Sequence, residues 1–222
     1  VLAIWIAVIG FWPTYFGRLL SGTLDVLPII HLHAVIFSGW LGLFLAQAVL
    51  AGTGRTAWHM KLGKVGVLYG ILLIIVGEAT AFTAFGARVR AGNVEEAQAR
   101  LFAPVTDLLV FAPFLVAAWI YRRKPEIHKR LIIVATTILL IAPAHRATNW
   151  LFGPPPPLLP VLLLWLTPIL LGLAFDLARR RLVHPVYLVG VAAVVFLKFV
   201  RRPLANTEVW SDFVGWVTSL YT

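Results

Sequence analysis

Apolar runs of nearly membrane-spanning length, joined by short links that hold most of the Lys and Arg, restrict this chain to one kind of fold. A helix needs about 20 apolar residues to cross hydrocarbon. The runs at 1–12, 26–50, 64–85, 104–121, 131–150, 158–177 and 186–200 give about seven such helices. With 60% of residues hydrophobic and a mean hydropathy of +0.90, the expected fold is an all-α, polytopic transmembrane helix bundle. The first run is too short to cross alone and the sequence opens on Val1, so residues are expected upstream. Trp12, Pro13, Tyr15 and Phe16 read as the outer end of that span.

One set of links holds Arg55, Lys61 and Lys64, then Arg122, Arg123, Lys124, Lys129 and Arg130, then Arg179, Arg180 and Arg181. The opposite set holds fewer cations: Arg18, Arg88, Arg90, Arg100, Arg201 and Arg202. The positive-inside rule puts the first set in the cytoplasm of a bacterium and the C-terminus on the outer side of its inner membrane. The formal charge of +10 is then a topology signal and an attraction to anionic lipid, not a nucleic-acid surface. Cysteine is absent, which excludes disulfides, thiolate metal sites and iron–sulfur clusters. No phosphate-binding glycine loop, nucleophile elbow or zinc-protease helix is present.

An internal repeat organises the middle of the chain. Trp58-His59-Met60-Lys61-Leu62 after the second span matches Ile127-His128-Lys129-Arg130-Leu131 after the fourth. At the other face, Pro28-Ile29-Ile30-His31 matches Pro104-Val105-Thr106-Asp107. Two similar hairpins, 26–85 and 104–150, should therefore form a four-helix core within a transmembrane domain of residues 1–206, with functional groups at the repeat interface. Gly66 and Gly70 form a G-x-x-x-G that lets the third span pack closely.

Four spans carry ionisable residues near the outer face: His31 and His33, Glu78, Asp107, and His145 followed by Arg146. Counted at about 1.5 Å per residue, all lie roughly 5 to 10 Å deep. Such groups are expensive in hydrocarbon, so their convergence marks a site. His31 and His33 point about 200° apart, so a regular helix aims only one at a given centre. His31 shares a face with Ser38 and Gly42, and His145 with Thr137, Ile141 and Asn149. Pro143 should loosen the backbone beside His145.

Three chemistries fit this set. A transition metal, iron foremost, would take His31 or His33 with His145, Glu78 and Asp107, with Arg146 and Asn149 in support. Haem b would take His31 or His33 and His145 as axial ligands. A buried polar network would have Arg146 neutralise Asp107 or Glu78 while the histidines fix packing.

His59 and His128 could form a second bis-histidine site on the cytoplasmic side. The favoured reading is without a ligand, since they lie among Lys and Arg at the headgroup level where an imidazole is comfortable, and His128 and His145, about 25 Å apart by helical rise, are far apart for two cofactors in one bundle; His184 beside Pro185 reads the same way. Asp176 is expected to pair locally with Arg179 and Arg180, and Glu126 with Arg122, Lys124 or Arg130. Residues 88–100 read as a short surface helix, and Pro154 to Pro157 as a stiff non-helical turn. From 207 to 222, Val209, Trp210, Phe213, Val214, Val217, Leu220 and Tyr221 share one face behind an Asn206 or Thr207 cap. That is an amphipathic helix suited to the lipid interface or to other membrane subunits, which the flanking spans could also meet.

The run His31-Leu32-His33-Ala34, with Trp40, Phe44, Gln47, Gly54-Arg55, His59, Leu62-Gly63 and His128-Lys129-Arg130-Leu131, resembles a family of bacterial seven-helix membrane proteins. The resemblance implies the architecture and no particular reaction. In outline the four-helix core is also similar to transmembrane b-type cytochromes, although the fourth span offers Asp107 where those need a His. The sequence thus points to a membrane protein that binds haem or a metal for redox chemistry, or else to a non-catalytic accessory subunit of a respiratory or photosynthetic complex.

Overall fold

The computed structural model describes residues 1–222, apart from the side chains of Arg180 and Arg202. Every regular element is helical. The chain begins with α1 (Leu2–Phe11), a π-helical turn (Trp12–Phe16) and α2 (Gly17–Leu20), which together make one span of 19 residues. Pro13 cannot donate to Ile9, and the wider turn carries the helix past it. The aromatic cluster expected to end the first span therefore lies inside it.

Next come α3 (Pro28–Gly52), α4 (Thr56–Arg90) and α5 (Val94–Ile120), then a 3₁₀ turn (Tyr121–Arg123) and α6 (Pro125–Ile138). α7 (Ile141–Phe152) continues α6 after a bend of 49°. The bend falls at Leu139–Leu140 because Pro143 has no N–H for the Leu139 carbonyl. α8 (Leu158–Arg180), α9 (Pro185–Ala205) and α10 (Glu208–Ser219) complete the chain. Five spans among the described residues are long and apolar enough to cross a membrane, or 6 with α6 and α7 taken as one. α9 is long enough too, but Lys198, Arg201 and Arg202 interrupt its apolar character. Exposed side chains such as Val35, Leu68, Ile75, Leu109, Val116 and Phe196 form an apolar outer coat suited to lipid, as in a multi-pass membrane protein.

α3 packs on α4, α4 on α5 and α5 on α6, and the Trp40 indole donates to Thr136 Oγ1 at 3.3 Å to tie α3 to α6. This is the four-helix core expected from the repeat. Gly70 admits Trp40 and Leu115, and Gly77 admits Phe37 and Leu108, so small residues set the close approach of α4 to its neighbours. α1 lies against α7, while α8 and α9 lie against α6.

Residues 88–100 do not form a separate surface helix. They are the end of α4 and the start of α5, joined at Ala91–Asn93, with Gly92 at φ 79° making the turn. α10, capped by Thr207 Oγ1, turns its apolar face onto these extended ends: Val214 and Val217 join Phe85, Val89 and Leu101. Trp210 stacks edge-on to Phe102, and Tyr221 donates to the Phe82 carbonyl at 3.3 Å. Val209, Trp216 and Leu220 remain exposed.

Candidate cofactor site

Two cavities lie along the axis of the four-helix core, one toward each end. The cavity at the basic end, about 500 Å³, is walled by Leu43, Phe44, Leu115 and Ile132, with His59 and His128 on its lining. Both histidines sit in the first turn of the second helix of a hairpin, α4 or α6, and reach back to the helix before it. His59 Nδ1 is 3.3 Å from the Gln47 carbonyl, and His128 Nδ1 is 2.8 Å from the Ala118 carbonyl. A carbonyl only accepts, so Nδ1 carries the proton in both rings and Nε2 keeps its lone pair. The Ala118 carbonyl is in the last turn of α5, where helical donors run out, so the bond also satisfies a helix end.

The repeat thus yields the same device twice, and the four-helix ring turns the two copies toward each other. The ring centroids are 6.2 Å apart. Lys64, Arg122, Arg123 and Lys129 line the same cavity, giving it a cationic mouth. Arg122 donates to the Trp119 carbonyl at 2.9 Å and lies 4.3 Å over that residue's ring, while Lys129 meets Glu126 at 3.1 Å. The sequence displays both histidines and the repeat that relates them, but each alone reads as a headgroup-level residue. The missing element is the diagonal placement of α4 and α6, which brings two chain-distant first turns together.

At the other end, His33, Asp107 and Arg146 line a cavity of about 360 Å³ between α1, α3, α5 and the α6–α7 break. His31, Glu78, His145 and Asn149 do not line it. His31 Nδ1 pairs with the Tyr15 hydroxyl at 2.9 Å. His33 stacks on Phe37 with ring centroids 3.9 Å apart, and its buried Nδ1 has no hydrogen-bond partner among the described residues. The same holds for Glu78 Oε2 and Asn149 Oδ1. Asp107 is ion-paired with Arg201 of α9, whereas the polar-network reading has Arg146 neutralise Asp107 or Glu78. Arg146 instead lies 5.3 Å over the Phe11 ring. Among the described residues, no three His, Asp or Glu side chains converge in a way that could hold a metal ion.

A third polar cluster is structural. Arg130, fully buried in α6, donates through Nε to Asp176 Oδ2 at 2.8 Å and through Nη2 to Oδ1 at 2.5 Å. Its Nη1 meets Glu126 Oε2 at 2.8 Å, and its guanidinium lies 5.7 Å over the Tyr187 ring. The expectation from sequence pairs Asp176 along its own helix; its partner across the bundle is Arg130, and the part of that expectation involving Arg180 lies outside the described side chains. A bidentate Arg–carboxylate pair is the arrangement that best offsets the desolvation of both charges. The cation at the border of the apolar run of α6, next to Leu131, and the carboxylate near the end of α8 are the available sequence signals.

The chain matches no protein-family model, no curated protein and no solved structure.

Proposed function

We propose that the protein is a membrane-embedded haem b electron carrier with His59 and His128 as the axial pair. The observation that carries this reading is the two imidazoles on the lining of one cavity, with ring centroids 6.2 Å apart and planes at 86°, each tied at Nδ1 to a backbone carbonyl. An iron held between the two Nε2 atoms at about 2 Å from each would put the ring centres roughly 6 Å apart, the separation seen between His59 and His128. The backbone bonds hold the rings in the ligating tautomer and raise the basicity of Nε2. Leu43, Phe44 and Ile132 keep water from the ring faces, and Lys64, Arg122 and Arg123 offer positive charge to propionates. Haem bound there supplies one-electron redox chemistry.

The charge asymmetry supports an orientation in a bacterial inner membrane with this cavity on the cytoplasmic side and α10 outside. The exposed faces of α8 and α9 are available to lipid or to other membrane subunits.

The test is an absorption spectrum, with parallel elemental analysis, of the protein purified from membranes. A Soret band that shifts on reduction, lost in His59→Ala and in His128→Ala, is the expected result. His128→Met should keep the haem and change the spectrum, since a thioether replaces one imidazole. A colourless, iron-free wild type, or unchanged spectra in all three variants, overturns the assignment.

A further inference from the structure

The second cavity has no role in the haem reading, yet it shares a wall with the first. Trp40, 5% exposed, lines both, and its indole packs edge-on to the fully buried Phe111 at 5.4 Å. One aromatic side chain therefore stands between the space assigned to haem and a space of about 360 Å³ in the opposite half of the bundle. That volume suits one substituted ring.

Its chemistry is two-sided. Phe11, Phe37 and Leu108 make apolar walls. The polar groups on the lining are the buried Nδ1 of His33, which has no partner among the described residues, the guanidinium of Arg146, which has no ion-pair partner among them, Asp107, which is paired with Arg201 behind it, and the single hydroxyls of Thr14, Tyr15 and Ser38. A buried polar nitrogen left unpaired costs free energy that a ligand oxygen or hydroxyl would recover. A sugar or amino acid would leave its polar groups facing these apolar walls. A flat apolar ring with an oxygen substituent at each end leaves none.

We propose that this cavity binds the ring of a membrane quinone or quinol, with one ring oxygen at His33 and the other toward Arg146. This inference rests on the haem reading for its redox consequence and on the cavity alone for binding. In the redox step, both O–H bonds of the quinol break and the ring becomes a quinone. Its two electrons would pass one at a time to the ferric haems of two protein molecules, reducing each to the ferrous state. The two protons leave for water on that side of the membrane, the first by way of His33 Nδ1.

The experiment uses the full chain in lipid nanodiscs with decylubiquinone and decylubiquinol as probes. Titration calorimetry with decylubiquinone reads binding without reference to haem, and stopped-flow absorbance with decylubiquinol reads haem reduction. Ala34→Trp fills the cavity from α3, and Ser38→Phe is a second, smaller block. Saturable binding above partition into empty nanodiscs, weakened at least tenfold in either variant with the haem spectrum unchanged, is the expected result, together with reduction of two haems per quinol. Absence of saturable binding to the wild type, or equal binding in a folded blocked variant, overturns the proposal. A haem-free protein that still binds decylubiquinone, and loses it on blocking, supports the cavity assignment and overturns only the haem reading.

Discussion

The two ends of the four-helix core handle half-buried histidines in opposite ways. At the basic end, His59 and His128 are each anchored by a neighbouring backbone carbonyl and converge on one space. At the far end the ionisable groups disperse: His31 turns to Tyr15 and Asp107 to Arg201, while Glu78 and His145 stay off the cavity. Equal depth in a bilayer is a one-dimensional coincidence, since each residue also has an angular position. His59 and His128, which are related by the repeat, share both coordinates, whereas His31 and Asp107, related by the same repeat at the far end, take separate partners. The cost of a buried charge is a demand for a partner, and that demand is met as well by a local hydroxyl as by a cofactor.

The largest effect expected from this contrast is on cofactor content. His128→Ala and His59→Ala should each abolish haem incorporation, measured as haem per polypeptide after detergent purification. His145→Ala and His31→Ala should leave it within error. Loss of haem in His145→Ala with retention in His128→Ala would reverse the comparison between the two ends.

Next in size is the Arg130 cluster, which braces the basic end. Asp176→Ala removes two acceptors from a guanidinium with no access to water, and breaking a buried pair costs about 3 kcal/mol or more. Asp107→Ala should cost less, because the Asp107–Arg201 pair is partly exposed beside a cavity. Thermal unfolding in one detergent ranks the two, and a larger loss at Asp107 would show that the far end is the more tightly braced.

How much of this is legible in the sequence depends on what each signal measures. Hydropathy is a property of the span, so the helix bundle and the core of two hairpins are legible from apolar runs and from the repeat. Boundaries are less so: Pro13 and Pro104 read as span ends, yet a π turn absorbs the first and α5 runs through the second. Pro143 does announce the break before it, since a missing N–H acts on the carbonyl four residues upstream. Partners across the bundle are not legible. Arg201 and Asp107 are far apart in the chain, as are Arg130 and Asp176, and no local pattern carries the packing of α9 on α5 or of α8 on α6.

Smaller again is the effect of helix spacing between the two cavities. A Cβ at Gly70 would meet Trp40 and Leu115, so Gly70→Val should force the shared wall outward at a cost of roughly 1–3 kcal/mol. Haem content should fall with it, because Trp40 and Leu115 also line the basic-end cavity. Gly42→Ala, where an added Cβ meets nothing within 4 Å, is the control: haem content should not change, and stability should hold or rise by up to about 1 kcal/mol, since Ala is the better helix former.

The smallest expected effect is at the hydroxyl that holds His31. Tyr15→Phe removes a single hydrogen bond within the span region, and such bonds between membrane helices contribute about 0.6 kcal/mol. Stability should shift by no more than that, and haem content should not change. A freed His31 ring could instead swing toward the cavity lined by Tyr15, and a new metal-dependent rise in unfolding temperature would reveal it. That outcome would mean the far end holds a latent ligand set kept apart by one phenol, and the contrast between the two ends would then be a matter of one hydrogen bond rather than of the repeat.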